Sequence, residues 1–166
     1  MLEIACFNAS SAITAAQAGA DRLELCTDYA AGGVTPPLVT LQEVRNATTI
    51  PIHVMIRPRG GDFTYTSTEY EEMKRQINIL KPLASGLVFG ILDAASKIDQ
   101  TRNSELVTLA APLPCTFHRA IDQVEDLDDA VEQVIACGFQ SILTSGGEKT
   151  AVEGAARVKQ LQNRFG

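Results

Sequence analysis

Short apolar segments alternate with helical patterns along the whole of this 166-residue chain. Six apolar segments have the length and composition of strands, and they lie at 2–6, 22–26, 52–57, 86–92, 115–120 and 141–145. A helical pattern follows each of them, and these patterns lie at 11–19, 35–46, 67–81, 103–111, 126–138 and 150–165. Strands that alternate with helices form parallel sheets with right-handed crossovers. The sequence therefore predicts an α/β fold of six βα units, with residues 1–166 in a single domain.

The polar residues of the predicted strands fall on one face of each strand. Arg22 and Glu24 share a face of the second strand. His53 and Arg57 share a face of the third strand, and Glu3 is a charged residue in the first. Doubly wound sheets have strands that are apolar on both faces, and no glycine-rich dinucleotide turn follows the first strand. The pattern favours a TIM-type (β/α)8 barrel with a polar lumen over an open sheet.

Charge and cysteine spacing exclude several classes of function. The net charge of −6 argues against nucleic acid or an anionic membrane as a partner, because both require a basic surface. No segment is long and apolar enough to span a bilayer, and the start of the chain lacks the basic region of a signal peptide. These features indicate an intracellular protein with reduced cysteines. The four cysteines form no Cys-x-x-Cys pair, which argues against a structural zinc site.

Two arginines flank a proline at the end of the third predicted strand, in "HVMIRPRGGDF". The working residues of TIM-type barrels lie at the carboxyl ends of the strands. Arg57 and Arg59 are therefore candidate ligand-binding residues, since guanidinium groups form paired hydrogen bonds with a carboxylate or a phosphate. The alternative is that these arginines only form ion pairs with Glu3, Glu24 or Asp62.

Glu24 and His118 are candidate catalytic residues, as an acid and base pair. Both have intrinsic pKa ranges suited to proton transfer, and both are predicted to face the lumen. The alternative is a hydrogen-bonded structural histidine and a salt-bridged glutamate. Arg119 is a further candidate for ligand binding. Because it directly follows His118, its side chain should point to the opposite face of the strand, into the helix layer, unless the strand bends. His53 lies at the amino end of its strand and is interpreted as structural.

Cys6 and Cys26 end the first two predicted strands, which are neighbours in a barrel. Two thiolates are good soft ligands for Cu(I), so this pair is a candidate metal site. Cys6 has the opposite parity to Glu3, and its convergence with Cys26 requires a twist at the end of the strand. The alternative is a buried, inert thiol at each position. Cys115 and Cys137 are interpreted as core residues.

Five segments resemble, in their order and spacing, the CutC family of copper homeostasis proteins: "GADRLELC", "GGVTP", "PIHVMIRPRGGDF", "TFHRAID" and "ILTSG". The resemblance extends over essentially the whole chain. It implies a TIM barrel, a cytoplasmic location, self-association as a dimer or larger homo-oligomer, and a Cu(I) role through Cys6 and Cys26. The lumen residues shared by the family match Glu3, Arg22, Glu24, Arg57, His118 and Arg119 in this sequence. The resemblance thus includes Arg119 among the candidate ligand-binding residues and adds Glu3 and Arg22 to them.

The chain stops after the sixth βα unit, whereas a complete barrel has eight units and roughly 250 residues. Members of the family continue with two more units, so the first and sixth strands are expected to be free edges. We consider three explanations: a truncated chain, a naturally short product, or completion of the barrel by another chain.

Two main hypotheses about function follow. The first is copper homeostasis through Cu(I) bound in the cytosol. The alternative is a TIM-barrel enzyme that acts on a small phosphorylated or carboxylated metabolite through Glu24, Arg57 and His118. A third hypothesis, a folded scaffold without chemistry, explains the charged lumen less well. The sequence leaves open whether the protein is an enzyme.

Overall fold

The computed structural model describes residues 1–166. Six short parallel strands are hydrogen-bonded in the order β1-β2-β3-β4-β5-β6. Their bounds are β1 Glu3–Cys6, β2 Arg22–Leu25, β3 Ile52–Met55, β4 Gly86–Phe89, β5 Cys115–Phe117 and β6 Ser141–Ile142. Each strand pairs with the next one in sequence, and β1 and β6 are the two edges of a half-barrel. The structure confirms the predicted α/β fold, an incomplete TIM-type barrel of six βα units.

Six α-helices alternate with the strands and pack on one side of the sheet. They are α1 Ala9–Gln17, α2 Leu38–Ala47, α3 Ser67–Leu80, α4 Gln100–Ala110, α5 Leu127–Ala136 and α6 Ala155–Phe165. A 3₁₀-helix, Arg119–Gln123, lies between β5 and α5. No helix has the length and apolar character that crossing a membrane requires.

The hydrophobic core lies between the sheet and the helices. One face of each strand contributes to it, for example Leu23 and Leu25 of β2 and Leu87 of β4, which have no exposed surface. Helix residues such as Ile77 and Leu106 complete the same cluster of 35 buried residues. Burial of each such side chain stabilises the fold by about 1.5–3 kcal/mol. Because side chains alternate along a strand, this layer also fixes the direction of every residue on the opposite face.

The opposite face of the strands lines the lumen. It carries the polar residues that alternate with the apolar core residues along each strand, as the sequence predicted. Cys26, Met55 and Val88 form a small buried cluster that is separate from the main core. Glu24 and His53 are buried polar residues with the same parity. The lumen is therefore a place where ionisable and sulfur-containing side chains are held away from water.

Two predicted boundaries are wrong at the site, and each has a local cause. Helix α2 begins at Leu38 rather than at Thr35. The reason is that Thr35 exchanges hydrogen bonds with the backbone of Arg57, which holds it in the loop. Strand β5 ends at Phe117, because the 3₁₀-helix begins at Arg119. Arg119 is therefore not a strand residue, and the alternation of side chains along a strand does not determine its direction.

Further boundaries differ from the prediction nearer the end of the chain. Helix α4 begins earlier than predicted, at Gln100, because the Asp99 side chain caps its first turn. Strand β6 ends at Ile142, and α6 does not begin until Ala155. Backbone N–H groups of the loop between these two elements bond to the Asp122 carboxylate instead of extending the strand.

Two glycines on the lumen side make room for two histidines. The His53 ring lies against Gly86, where an added Cβ atom would be 2.5 Å from Nε2. At Gly90 an added Cβ atom would be 2.8 Å from Phe117 Cζ and 2.9 Å from His118 Nδ1. Val88 lies between the two glycines on the same face. The segment "GLVFG" therefore sets how closely both imidazoles approach the sheet.

We expect Gly86→Ala to destabilise the protein by about 1–3 kcal/mol, because the added methyl group overlaps the His53 ring. The three nearest atoms to the new methyl group all belong to His53. In a protein that already carries His53→Ala, Gly86→Ala should therefore lower the free energy of unfolding by much less. Urea unfolding of both single variants and of the double variant measures this coupling. An equal cost in both backgrounds would contradict the overlap.

Candidate functional site

The candidate site lies in the lumen at the carboxyl ends of β2, β3 and β5. Glu24 belongs to β2 and Cys26 follows it, while Met55 ends β3. Arg57 and His118 lie in the loops that follow β3 and β5. All five side chains belong to residues that are between 2% and 7% exposed. The topology alone brings these residues together, since parallel strands of a barrel end on the same rim.

Glu24 and Cys26 form a coupled pair in the lumen. The Cys26 thiol donates a hydrogen bond to Glu24 Oε1 over 3.7 Å. Burial raises the pKa of Glu24 to about 7, and the Glu3 carboxylate adds to the rise. Burial also raises the pKa of the Cys26 thiol, and the neighbouring Glu24 raises it further. Near neutral pH, Cys26 is therefore a protonated thiol, whereas Glu24 is poised between its two forms.

His118 is a neutral hydrogen-bond donor in the lumen. Its Nδ1 accepts the backbone N–H of Ala120 over 3.3 Å at the start of the 3₁₀-helix. The proton of the neutral ring is therefore on Nε2, which is buried without a hydrogen-bond partner. Burial lowers the pKa of His118 to about 3, and the Arg57 charge lowers it further. At neutral pH, His118 can polarise a ligand oxygen from Nε2, but it is not an imidazolium acid.

Arg57 connects two loops through its guanidinium group. Its Nη1 donates to the carbonyl oxygens of Ala31 and Gly33, each over 3.1 Å. Its Nη2 donates to the carbonyl oxygen of Gly61 over 2.8 Å. The guanidinium carbon lies 4.7 Å from the centre of the Phe63 ring. These contacts leave the Nε–H group buried and without a partner.

Phe63 and Tyr65 complete the loop after β3. The Phe63 ring centre is 4.8 Å from that of His118, so Phe63 contacts both His118 and Arg57. Tyr65 is 4% exposed, and its hydroxyl group has no hydrogen-bond partner. Burial raises the pKa of Tyr65, and the Arg57 charge partly offsets this rise. Sequence reasoning did not identify either aromatic residue, although "GGDFTY" directly follows the two candidate arginines.

Two of the predicted ligand-binding arginines form ion pairs outside the lumen cluster. Arg59 binds Glu69 at 2.6 Å and Asp62 at 2.9 Å. The half-exposed Arg119 side chain binds Asp122 at 2.9 Å. For Arg59, the ion pair with Asp62 is the alternative considered from the sequence, whereas Glu69 was not among the partners considered. A role in ligand binding stays a prediction for both arginines.

Glu3 and Arg22 form an ion pair at the amino ends of β1 and β2, where they are register partners. His53 lies on the neighbouring strand, opposite Glu24. Burial lowers the pKa of His53, and the Arg22 charge lowers it further. The ion pair therefore occupies the end of the lumen away from Arg57. This was expected, because Glu3 lies at the start of its strand and Arg57 lies beyond the end of β3. Direct contact of Glu3 or Arg22 with a ligand stays a prediction.

Cys6 and Cys26 lie on opposite faces of the sheet. Cys6 belongs to the helix-side core, and its thiol donates to the carbonyl oxygen of Ile4 over 3.6 Å. Cys26 belongs to the lumen cluster. A backbone hydrogen bond of 2.8 Å, from Cys26 N–H to the Cys6 carbonyl, joins the two strand ends. The structure has no group of three or more His, Cys, Asp or Glu side chains arranged to hold a metal ion.

Asp122 organises the glycine-rich loop after β6, and sequence reasoning did not identify it. Its carboxylate accepts hydrogen bonds from the backbone N–H groups of Ser145 and Gly147 and from the Thr144 hydroxyl. Burial alone would raise the pKa of Asp122, but these hydrogen bonds and that of Arg119 hold it below its usual value. The donors of this loop are therefore already used within the protein, although a cavity of about 830 Å³ adjoins it.

Comparisons with known proteins agree with the resemblance read from the sequence motifs. The sequence profile of the CutC family matches residues 1–165. The human and mouse copper homeostasis protein cutC homologs are 44% and 45% identical to this chain over 162 residues. These alignments cover 97% of this chain but 59% and 60% of the relatives, so the chain spans about three fifths of their length.

A solved structure gives the same result. The copper homeostasis protein CutC from Streptococcus agalactiae matches with a TM-score of 0.90 and 31% identity. The match covers 98% of this chain and 82% of that chain. Fold, profile and identity therefore lead to one conclusion, which is that this chain belongs to the CutC family of copper homeostasis proteins.

Proposed function

We propose that this protein binds Cu(I) in its lumen, with the Cys26 thiolate as the anionic ligand. The observation that carries the proposal is a pair of buried sulfur atoms on adjacent strands. The parallel register of β2 and β3, continued by one residue, puts Cys26 opposite Met55. The two side chains belong to one buried cluster. Thiolate and thioether groups are the soft donors that Cu(I) prefers.

Cys6 is the second thiol that the family resemblance suggests as a ligand. Its side chain packs in the helix-side core, so joint coordination with Cys26 requires rotation at the end of β1. Met55 already shares the lumen cluster with Cys26. We therefore assign the second sulfur to Met55 and retain Cys6 as the alternative that an experiment must distinguish.

Glu24 gives the thiol proton a way to leave when the metal binds. A metal ion binds the thiolate, so binding displaces the proton of Cys26. Glu24 Oε1 already accepts the hydrogen bond from that thiol. Glu24 would become a neutral carboxyl group when it takes this proton, and it would regain its negative charge only after the proton passes to water. Cu(I) would be the cargo of the protein at this site.

A second candidate function is proton transfer on a small phosphorylated or carboxylated metabolite. Glu24 favours it, because a pKa of about 7 suits a general acid or base near neutral pH. His118 is a neutral donor on the same rim, and Arg57 carries a fixed positive charge. A sulfur site for Cu(I) requires neither of these two residues.

The proposed setting is the cytoplasm, with the protein as a homo-oligomer. All four cysteines are free thiols, and a thiol site for Cu(I) requires reduced sulfur. Strands β1 and β6 are sheet edges, whose unpaired backbone groups favour association. Sedimentation velocity tests this part of the proposal, and a monomer at all concentrations would exclude it.

We expect Cys26→Ala to weaken Cu(I) binding by about two orders of magnitude, which corresponds to roughly 2.7 kcal/mol. Met55→Leu keeps the volume but removes the thioether, and it should weaken binding by about tenfold. Anaerobic competition with a Cu(I) chelator measures both affinities. Cys115→Ala is the matched control, because this buried thiol belongs to the helix-side core and should not affect binding.

Cys6→Ala distinguishes the two possible sulfur pairs in the same assay. An affinity like that of the unmodified protein supports the pair of Cys26 and Met55. A loss as large as that of Cys26→Ala supports the site with two thiolates instead. Retention of full affinity in Cys26→Ala would refute copper binding at this position altogether.

Glu24 should make the free energy of unfolding depend on pH. Its folded-state pKa of about 7 lies above the value of 4.5 for a free side chain, so the folded protein keeps a proton that the unfolded chain releases. The corresponding stabilisation is complete below the unfolded pKa and is lost as the pH rises through the folded one. The loss is on the order of 3 kcal/mol.

We expect Glu24→Gln to remove this part of the pH dependence, because the amide does not ionise. Urea unfolding between pH 5 and pH 8 measures the free energy of each variant. Glu43→Gln is the control, since Glu43 is exposed on α2 and should leave the dependence unchanged. An unaltered slope in Glu24→Gln would show that Glu24 ionises normally in the folded protein.

A further inference from the structure

We infer that the lumen holds a second ligand site, in which a singly charged oxyanion such as a small carboxylate binds three neighbouring donors. The donors are Arg57 Nε, the Tyr65 hydroxyl group and His118 Nε2. The inference rests on the second candidate function, since it names the atoms that would anchor a carboxylated substrate. It does not depend on copper or on either cysteine.

The three donor atoms are buried and have no hydrogen-bond partner within the protein. Arg57 is 6% exposed, Tyr65 is 4% exposed and His118 is 3% exposed. Arg57 Nε, Tyr65 Oη and His118 Nε2 are each without a partner. Buried polar groups in folded proteins are nearly always hydrogen-bonded, so every exception needs an explanation. Tyr65 and His118 both lie near Arg57, so a ligand that accepts from all three groups would explain the three exceptions together.

Phe63 shows that these donors share one neighbourhood. The centre of its ring is 4.7 Å from the guanidinium carbon of Arg57 and 4.8 Å from the centre of the His118 ring. The Arg57 guanidinium group lies beside the Tyr65 hydroxyl group, where its charge and its N–H groups together oppose the effect of burial on the pKa of the phenol, although the two groups do not reach full hydrogen-bond geometry. Arg57, Phe63 and Tyr65 come from one loop, and His118 comes from the rim two strands away.

The polarity of the donors selects an oxygen with negative charge. Arg57 is a permanent cation whose Nε carries a hydrogen. His118 Nδ1 already accepts the Ala120 N–H, so Nε2 presents a hydrogen as well. The Tyr65 hydroxyl group can rotate its hydrogen towards the same point. A ligand that offered only donors would leave these groups unpaired.

The other contacts of Arg57 limit the charge of the ligand. Three backbone carbonyls already accept from its two terminal nitrogens, so at most two of its five N–H groups, on Nε and Nη2, remain for a ligand. One cation with at most two free N–H groups favours a monoanion over a doubly charged phosphate.

Copper-free protein, treated with a chelator, tests the site with acetate as the probe. Thermal unfolding is followed against acetate concentration, with sodium chloride at equal ionic strength as the reference. We expect saturable stabilisation of the unmodified protein by acetate. Tyr65→Phe should weaken acetate binding by about tenfold, because it removes one hydrogen bond to a charged group. Without acetate this variant should be as stable as the unmodified protein or more so, since the hydroxyl group has no partner.

Tyr29→Phe is the matched control, because the Tyr29 ring is 78% exposed and lies outside the donor set. Its acetate affinity should equal that of the unmodified protein. The inference fails if acetate gives no saturable stabilisation, or if Tyr65→Phe binds acetate as well as Tyr29→Phe does. Stronger stabilisation by inorganic phosphate than by acetate would overturn the assignment to a monoanion.

Glu24→Gln separates this inference from the proposal of proton transfer. The amide removes the ionisable group but none of the three donors, so acetate binding should persist. Loss of turnover with retained acetate binding would support both proposals. Acetate binding in a protein that turns over no carboxylated metabolite would leave the binding site standing and refute the enzymatic function alone.

Discussion

The carboxyl rim of the lumen depends on one buried cation, the guanidinium group of Arg57. It joins the loop after β2, through the carbonyls of Ala31 and Gly33, to the loop after β3, through that of Gly61. A buried charge is tolerated only where hydrogen bonds replace its hydration, and these carbonyls provide that replacement. The Phe63 ring packs against both the guanidinium group, at 4.7 Å, and the His118 ring, at 4.8 Å.

The two faces of the sheet divide the roles of the protein between stability and chemistry. The helix-side face is a continuous apolar cluster of 35 buried residues, and it orients every strand. The lumen face could therefore carry Glu24, Cys26 and His118 without loss of the core. Their burial has a chemical consequence, because it favours the neutral form of each side chain. The lumen thus combines fixed charges, Arg57 and the ion pair of Glu3 and Arg22, with side chains that burial keeps neutral.

The half-barrel and its polar lumen followed from the sequence, because side-chain alternation along a strand is a local property. The directions of the side chains beyond the strand ends could not be predicted in this way. Arg59 lies two residues after Arg57 but binds Glu69, a partner that only the packing of α3 brings close. Met55 could not be paired with Cys26 before the register of β2 and β3 was known. The ligand roles of all these residues stay predictions, since a donor set alone does not name its ligand.

Glu24 decides which sign of charge the lumen accepts. When its carboxyl group is protonated, the buried Arg57 cation has no ion-pair partner in the lumen. When Glu24 is ionised, the lumen gains a negative charge beside Cys26. A pKa of about 7 puts both forms within reach of neutral pH. A cation at the proposed Cys26 site would shift this equilibrium towards the ionised carboxylate, because Glu24 accepts the hydrogen bond of the Cys26 thiol.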